Sequence, residues 1–419
     1  MQKQLDIRIH SEIDPLEAVI LHTPGPEVEN MNPENAERAL YSDILNLSVA
    51  SEEYKEFQQV LSQISLTFEV YDLLKDVLEI PPARYGLIQK IKQNEKTGEI
   101  GHRLESLSSE ELANVLIQGL TKYDDTLTNF ISKGRYNLKP LHNFFFTRDS
   151  SFVNGSNIFI SSMASAVRSR EAMIMKMIFN HHPLFRKETI AYSNGIKDPK
   201  NIKFEGGDVI AAREDVLIVG SGVRTSTQGI DFIIDQLKNE GETKHILVQE
   251  LPSEPESFIH LDMAFTLLDN DHCMVFEPLI LKNNKFNTVK ISVENKKVKK
   301  IEYVPNLIKG LKSVGMDLTP VFCGGSKDLW IQEREQWHSG ANFFAVGPGK
   351  VMGYGRNVYT MEEMDKKGYE IIKATDIISD KINLKEYNKY VIALEGSELA
   401  RGGGGARCMT MPIARKTQS

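Results

Sequence analysis

A chain of 419 residues is long for one compact core, so two domains, or one domain with a large insertion, are expected. The formal net charge of −7 and the lack of a basic stripe argue against a nucleic-acid partner. No stretch of about 18 apolar residues occurs, which argues against a membrane-spanning helix.

The opening residues Met1 to Asp6 lack the apolar core of an export signal. Only three cysteines occur, Cys273, Cys323 and Cys408, with no Cys-x-x-Cys pair. A cytoplasmic protein without a disulfide framework or a zinc site is therefore expected. Residues 11–25 read as a strand ending at Pro24-Gly25. From about Pro33 to Ile131 glycine is scarce and apolar residues fall at helical spacing: Leu40, Ile44 and Leu47, then Phe57, Val60, Leu61 and Ile64. Ser108, followed by Glu110 and Glu111, marks a helix start. This region reads as a helical bundle inserted into a strand-rich protein.

Beyond Lys139-Pro140, short apolar strands alternate with Gly-rich turns, and a weak repeat emerges. Segments beginning at Asp149, Glu205 and Gly340 each run strand, turn, strand, then helix-like sequence, leading to Arg168, Arg224 and Arg356. A fourth begins in the same way at His260. Asp149 to Arg168 spans the same interval as Glu205 to Arg224, which supports pseudo-symmetry; chance is the alternative. The lysines between 296 and 300 read as a solvated face.

Cys408 follows four consecutive glycines, 402–405, a run that suits backbone approaching a ligand or a loop moving over one. A thiol there is a candidate nucleophile, against the commoner fate of a buried inert cysteine. Cys273 and Cys323 lack that setting and read as packing residues. In His260-Leu261-Asp262, a strand would direct the imidazole and the carboxylate to one face. An edge-strand polar pair would explain an isolated His-x-Asp, and metal ligation lacks a third ligand at convincing spacing. Asp149 closes Phe146-Thr147-Arg148-Asp149, and Glu205 opens Glu205-Gly206-Gly207-Asp208. A solvated turn would account for either carboxylate alone. With Asp262 they form converging carboxylates with no evident metal, and a guanidinium is their natural planar partner.

These motifs together resemble arginine deiminases of the pentein superfamily. The resemblance rests on residues 143, 146–149, 167–171, 205–208, 222–225, 260–262, 333–357 and 406–412, with the first strand and turn near the N-terminus. It implies an α/β fold: a five-fold pseudosymmetric α/β propeller of ββαβ-like units with an inserted α-helical bundle. Residues 1–32 and 133–419 would form the catalytic domain, and 33–132 the insertion. It implies hydrolysis of free L-arginine to citrulline and ammonia through a cysteine amidino-thioether, with no metal or organic cofactor. Cys408 matches the nucleophile, His260 the acid/base, Glu205 its orienting carboxylate, and Asp149 and Asp262 the guanidinium clamp. Asn143, Arg168 and Arg224 match the residues that bind the substrate carboxylate, and Phe146 and Asp208 complete the substrate-binding set. Self-association into a homo-oligomer stays open. Two departures stand out: Ser150 replaces a common proline, and Gly403 occupies the place where some members have a loop arginine, with Arg401 and Arg407 flanking it. Competing readings are agmatine deiminase, methylarginine hydrolase, amidinotransferase, a non-catalytic arginine sensor, and a metallohydrolase on His260 and Asp262. The Arg168/Arg224 pair speaks against agmatine, which has no carboxylate.

Overall fold

The computed structural model describes residues 4–31, 43–95, 101–122, 127–131, 135–192, 202–238 and 243–417. Leu40 of the first helical pattern lies outside them. Among the described residues, strands form six open sheets, and five share one plan: an antiparallel hairpin joined in parallel by a third strand. Ser151–Asn154 and Asn157–Ile160 are joined by Thr189–Ala191. Val209–Arg213 and Val216–Ser221 are joined by Lys244–Glu250. Phe265–Leu267 and His272–Val275 are joined by Thr319–Phe322. Phe344–Gly347 and Lys350–Tyr354 are joined by Tyr390–Leu394. In the fifth, the two ends of the chain make the hairpin: Met411–Arg415 pairs with Leu16–Leu21, and Leu66–Glu69 adds in parallel.

A parallel neighbour needs a crossover, and helices supply it: Ser169–His181, Thr227–Leu237 and Val358–Lys366 follow the hairpins predicted to lead into helices. The segment 33–132 is not wholly helical, because Leu66–Glu69 extends the sheet built on the first strand. Its neighbour, Leu47–Ile64, is that sheet's crossover helix. Asn46 caps this helix by accepting the Ser48 N–H, and Ala50, Tyr54, Phe57 and Leu61 form its buried stripe. The stripe packs with Phe145, Phe146, Leu399 and Cys408 in one apolar cluster. Glu53 on the same helix accepts the backbone N–H groups of Glu398 and Leu399, so the helix holds the chain entering the glycine run.

The remaining helices, including Val70–Leu78, Pro81–Asn94 and Ser109–Gln118, bury Leu74, Val77, Leu87, Leu112 and Leu116 against Ile174 and Ile178 of Ser169–His181. Burial of each such side chain contributes about 1.5–3 kcal/mol, which holds this layer on the strand-rich part. Cys273 and Cys323 are fully buried free thiols, as packing residues should be. The lysine-rich strand Lys297–Val304 is a largely exposed edge. Among the described residues, no helix is long and apolar enough to cross a membrane.

The expected helix start at Ser108 is a reciprocal cap: Ser108 Oγ accepts the Glu111 N–H at 3.2 Å, and Glu111 accepts the Ser108 N–H at 2.8 Å. Ser108→Ala should lower unfolding free energy by about 1 kcal/mol, read as an earlier thermal transition with unchanged activity. An unaltered midpoint would show that the cap contributes nothing.

Candidate active site

The candidate residues sit in the turns just ahead of first hairpin strands, where backbone leaves the sheet and side chains can converge. Asp149 precedes Ser151–Asn154, and Glu205 precedes the 3-10 turn Gly206–Asp208 and the strand Val209–Arg213. Asp262 lies in the 3-10 turn Leu261–Met263 ahead of Phe265–Leu267, and Cys408 lies ahead of Met411–Arg415. His260-Leu261-Asp262 is thus not a strand, as its alternation suggested. His260 is extended and ends where the 3-10 turn begins.

A cleft of about 330 Å³ is lined by seven of the ten expected residues: Asn143, Phe146, Asp149, Arg168, Arg224, His260 and Cys408. Gly402, Gly403, Gly404 and Ile259 complete its wall. Gly403 is left-handed at φ 84°, and a Cβ on Gly404 would meet Phe146 at 2.5 Å, so both positions require glycine. Tyr354 fastens the loop by donating to the Gly404 carbonyl at 3.1 Å. Arg401 turns to Asp43 and Glu398, and is not among the cleft-lining residues.

Glu205, Asp262 and Asp208 are fully buried and do not line the cleft. Glu205 Oε2 lies 2.9 Å from His260 Nε2, while His260 Nδ1 lies 3.5 Å from Asp149 Oδ1. Both faces of the imidazole therefore meet carboxylates. Burial opposes the charged ring, but Asp149, the Glu205 hydrogen bond and Asp208 outweigh it and raise the His260 pKa to about 9. Burial likewise opposes charge on Glu205, yet Arg224 and His260 hold it at about 2. Asp208 is raised by burial to about 7, against the pull of His260. Its Oδ1 accepts the Leu261 N–H at 2.9 Å, so it fixes the turn behind His260.

Two of the three repeat arginines return to the acid that opens their own segment, whereas Arg356 donates to the Ser397 carbonyl at 2.9 Å. Arg168 donates to Asp149 Oδ2 at 2.6 Å, and Arg224 lies 3.5 Å from Glu205 Oε2. Arg168 is further fixed by Glu171. Asp149 Oδ1 is buried and has no hydrogen-bond partner. Asp149, Glu205 and His260 also offer three ligand atoms within 4.8 Å of one another, a set that includes His260 but not the Asp262 with which the sequence paired it. Guanidinium groups already balance both carboxylates.

Cys408 Sγ lies 3.6 Å from Asp262 Oδ2. Burial, Asp262 and Asp149 all push its thiol well above the usual range. Of the residues beneath it, Arg407 stood out in the sequence only as a flank of the glycine run, and Glu12 carried no role. Arg407 donates to Asp262 at 2.8 Å and to both oxygens of Glu12 at 2.9 and 2.6 Å. Burial opposes the charge on Glu12, but Arg407 and Arg148 hold its carboxyl at about 2. Asn342 contacts both the sulfur and the backbone of Cys408. The only sequence signal for Asn342 was its place within the 333–357 stretch.

Comparison with known proteins follows the same lines. Residues 37–415 match the family model for arginine deiminase. "Arginine deiminase 1" of Staphylococcus epidermidis is 30% identical over 430 aligned positions, covering 98% of each chain. "Arginine deiminase" of Staphylococcus aureus is 30% identical over 428, again covering 98% of both. Among solved structures, the amidinotransferase SxtG from Microseira wollei aligns with TM-score 0.52 at 12% identity, covering 99% of this chain and 98% of that one. A dimethylarginine dimethylaminohydrolase adduct with S-methyl-L-thiocitrulline aligns with TM-score 0.51 at 12% identity, covering 95% and 100%. The fold is thus of the mixed α/β pentein class. The chain belongs to the arginine deiminase family, and it is an enzyme.

The His260 pKa, raised from 6.5 to about 9, sets a sign for stability against pH. The unfolded chain loses its proton first as pH rises, so this histidine's contribution is complete below pH 6.5 and is lost as pH passes through about 9. Thermal midpoints from pH 6 to 10 should fall more steeply for the wild type than for His260→Gln. Parallel profiles would contradict the charged imidazole.

Proposed function

We propose that this enzyme hydrolyses free L-arginine to L-citrulline and ammonia through a covalent intermediate on Cys408. The observation that carries the reading is the cleft itself. A thiol, an imidazole flanked by carboxylates, and a buried carboxylate oxygen that accepts no hydrogen bond open on one space bounded by two arginines. Asp149 Oδ1 is the oxygen assigned to the substrate guanidinium, since Oδ2 is held by Arg168. Asp262 receives the same cation from beside the sulfur. Arg224 and Arg168, with Asn143, bind the α-carboxylate, and Phe146 packs along the carbon chain.

A bound guanidinium reverses the electrostatics of the free site. Two carboxylates resist a thiolate, whereas a cation seated beside the sulfur favours it. Cys408 gives up its proton to solvent as the substrate cation binds, and the thiolate forms a C–S bond to the guanidinium carbon. His260 protonates one amino group, and the C–N bond breaks to release ammonia, leaving an amidino-thioether on Cys408. His260 then takes a proton from water as its oxygen bonds the same carbon. The C–S bond breaks, the electron pair returns to sulfur, and citrulline leaves. Glu205 keeps His260 aimed throughout and favours its charged form before the first transfer and after the second; between them the ring is neutral and can take the proton from water. We also infer that the five similar sheets surround this cleft about a pseudo-fivefold axis, with helices of 70–118 as the inserted layer.

Incubation with L-arginine should yield citrulline and ammonia in equal amounts. Cys408→Ser should reduce both to background while keeping the wild-type circular dichroism spectrum, and turnover by that variant would exclude the thioether route. Arg224→Ala should raise KM for arginine by about tenfold or more, with a smaller effect on kcat. An unchanged KM would remove Arg224 from the carboxylate clamp.

A further inference from the structure

Four of the five sheets place a group with a part in the proposed reaction just ahead of their first hairpin strand: Asp149, Glu205, Asp262 and Cys408. The hairpin Phe344–Gly347/Lys350–Tyr354 has Asn342 at that place. Asn342 is buried, and its carboxamide has five polar contacts, the longest from Nδ2 to Met263 Sδ at 3.7 Å. Oδ1 accepts the N–H of Arg407 at 2.9 Å and of Cys408 at 3.2 Å. Nδ2 donates to the Asp262 carbonyl at 3.1 Å and to Cys408 Sγ at 3.2 Å.

The two backbone donors fix the orientation of this amide. A carboxamide nitrogen cannot accept an N–H, so the oxygen must face Arg407 and Cys408, and the nitrogen must face the sulfur. The Asp262 carbonyl, at 3.1 Å, and Met263 Sδ, at 3.7 Å, take up the second Nδ2 hydrogen, and the fixed oxygen keeps the other on the Cys408 sulfur at 3.2 Å. A Cβ on Gly405 would meet Asn342 Cβ and Oδ1 at 2.8 Å, so the last glycine of the run leaves room for the amide.

We infer that Asn342 is a further catalytic residue, whose side-chain N–H stabilises the Cys408 sulfur as an anion both when it attacks and when it departs. This rests on Cys408 being the nucleophile. Asp262, 3.6 Å from the sulfur, opposes negative charge there, and a neutral donor offsets this without adding a cation that would repel the substrate. A hydrogen bond to the charged form of a group favours that form. The same amide fixes the Cys408 backbone through Oδ1, so a purely structural part must be separated from the electronic one.

The test is the pH dependence of iodoacetamide alkylation at Cys408, read by mass spectrometry of its peptide in substrate-free enzyme, together with kcat and KM. Asn342→Ala should move the alkylation midpoint up by about one to two pH units, as for loss of one hydrogen bond to an anion. It should lower kcat by about a hundredfold and leave KM within about threefold. Asn342→Asp keeps Oδ1 for the two backbone donors but turns an acceptor to the sulfur, and should shift the midpoint further upward. It is also the variant to measure if Asn342→Ala does not fold. An unmoved midpoint with kcat within about twofold of wild type, while Cys408→Ser is inactive, overturns the role of Asn342 alone. Turnover by Cys408→Ser overturns the nucleophile reading and this inference with it.

Discussion

The sulfur of Cys408 lies against a buried carboxylate, and the surrounding structure is organised by that contact. A thiolate beside Asp262 and Asp149 is disfavoured by burial and by like charge, so the empty site holds its proton. Only a cation seated in the same space reverses the balance. On the proposed reading, a cleft built in this way keeps Cys408 quiet until a guanidinium arrives, which would link recognition of the substrate to its activation. Water alone offers no such positive charge.

Such a concentration of acids is stable because arginines lie behind it. Arg168 is locked by Glu171 and returns to Asp149, Arg224 faces Glu205, and Arg407 joins Asp262 to Glu12 near the start of the chain. Each pair costs desolvation, offset most fully where the bonds are short and multiple, as between Arg407 and Glu12 and between Arg168 and Glu171. The network also ties the two ends of the chain together. Glu12 and Arg407 meet where Leu16–Leu21 pairs with Met411–Arg415, so the loop that carries the sulfur is anchored to the first strand. Helix Leu47–Ile64 secures the other side of that loop through Glu53.

Much of this was legible in the sequence, for identifiable reasons. Acids and arginines at equal intervals betrayed a repeated unit, and the ion pairs Asp149–Arg168 and Glu205–Arg224 are the physical content of that interval. Four glycines before a cysteine signalled close backbone approach, and Gly402, Gly403 and Gly404 do line the cleft. Other features left no local trace. The strand Leu66–Glu69 is short and only partly buried, so it shows no alternation within a helical stretch. His260-Leu261-Asp262 fits strand spacing, but the Asp208 carboxylate on the Leu261 N–H belongs to a turn instead. Asn342 and Glu12 act through partners far away in sequence, and a lone polar residue in such a setting reads as solvated surface; Arg407 was noticed only as a neighbour of the glycine run, without its partners. Their importance comes from burial and convergence, which periodicity does not encode.

The account stands or falls on a covalent bond between Cys408 and the substrate carbon. The most direct measurement is an acid-quenched single turnover with L-arginine labelled at the guanidino carbon, followed by mapping of the label to peptides. Label should appear on the peptide containing Cys408 and decay as labelled citrulline forms. Citrulline formed at the full rate with no label on Cys408 at any time in the turnover would contradict it.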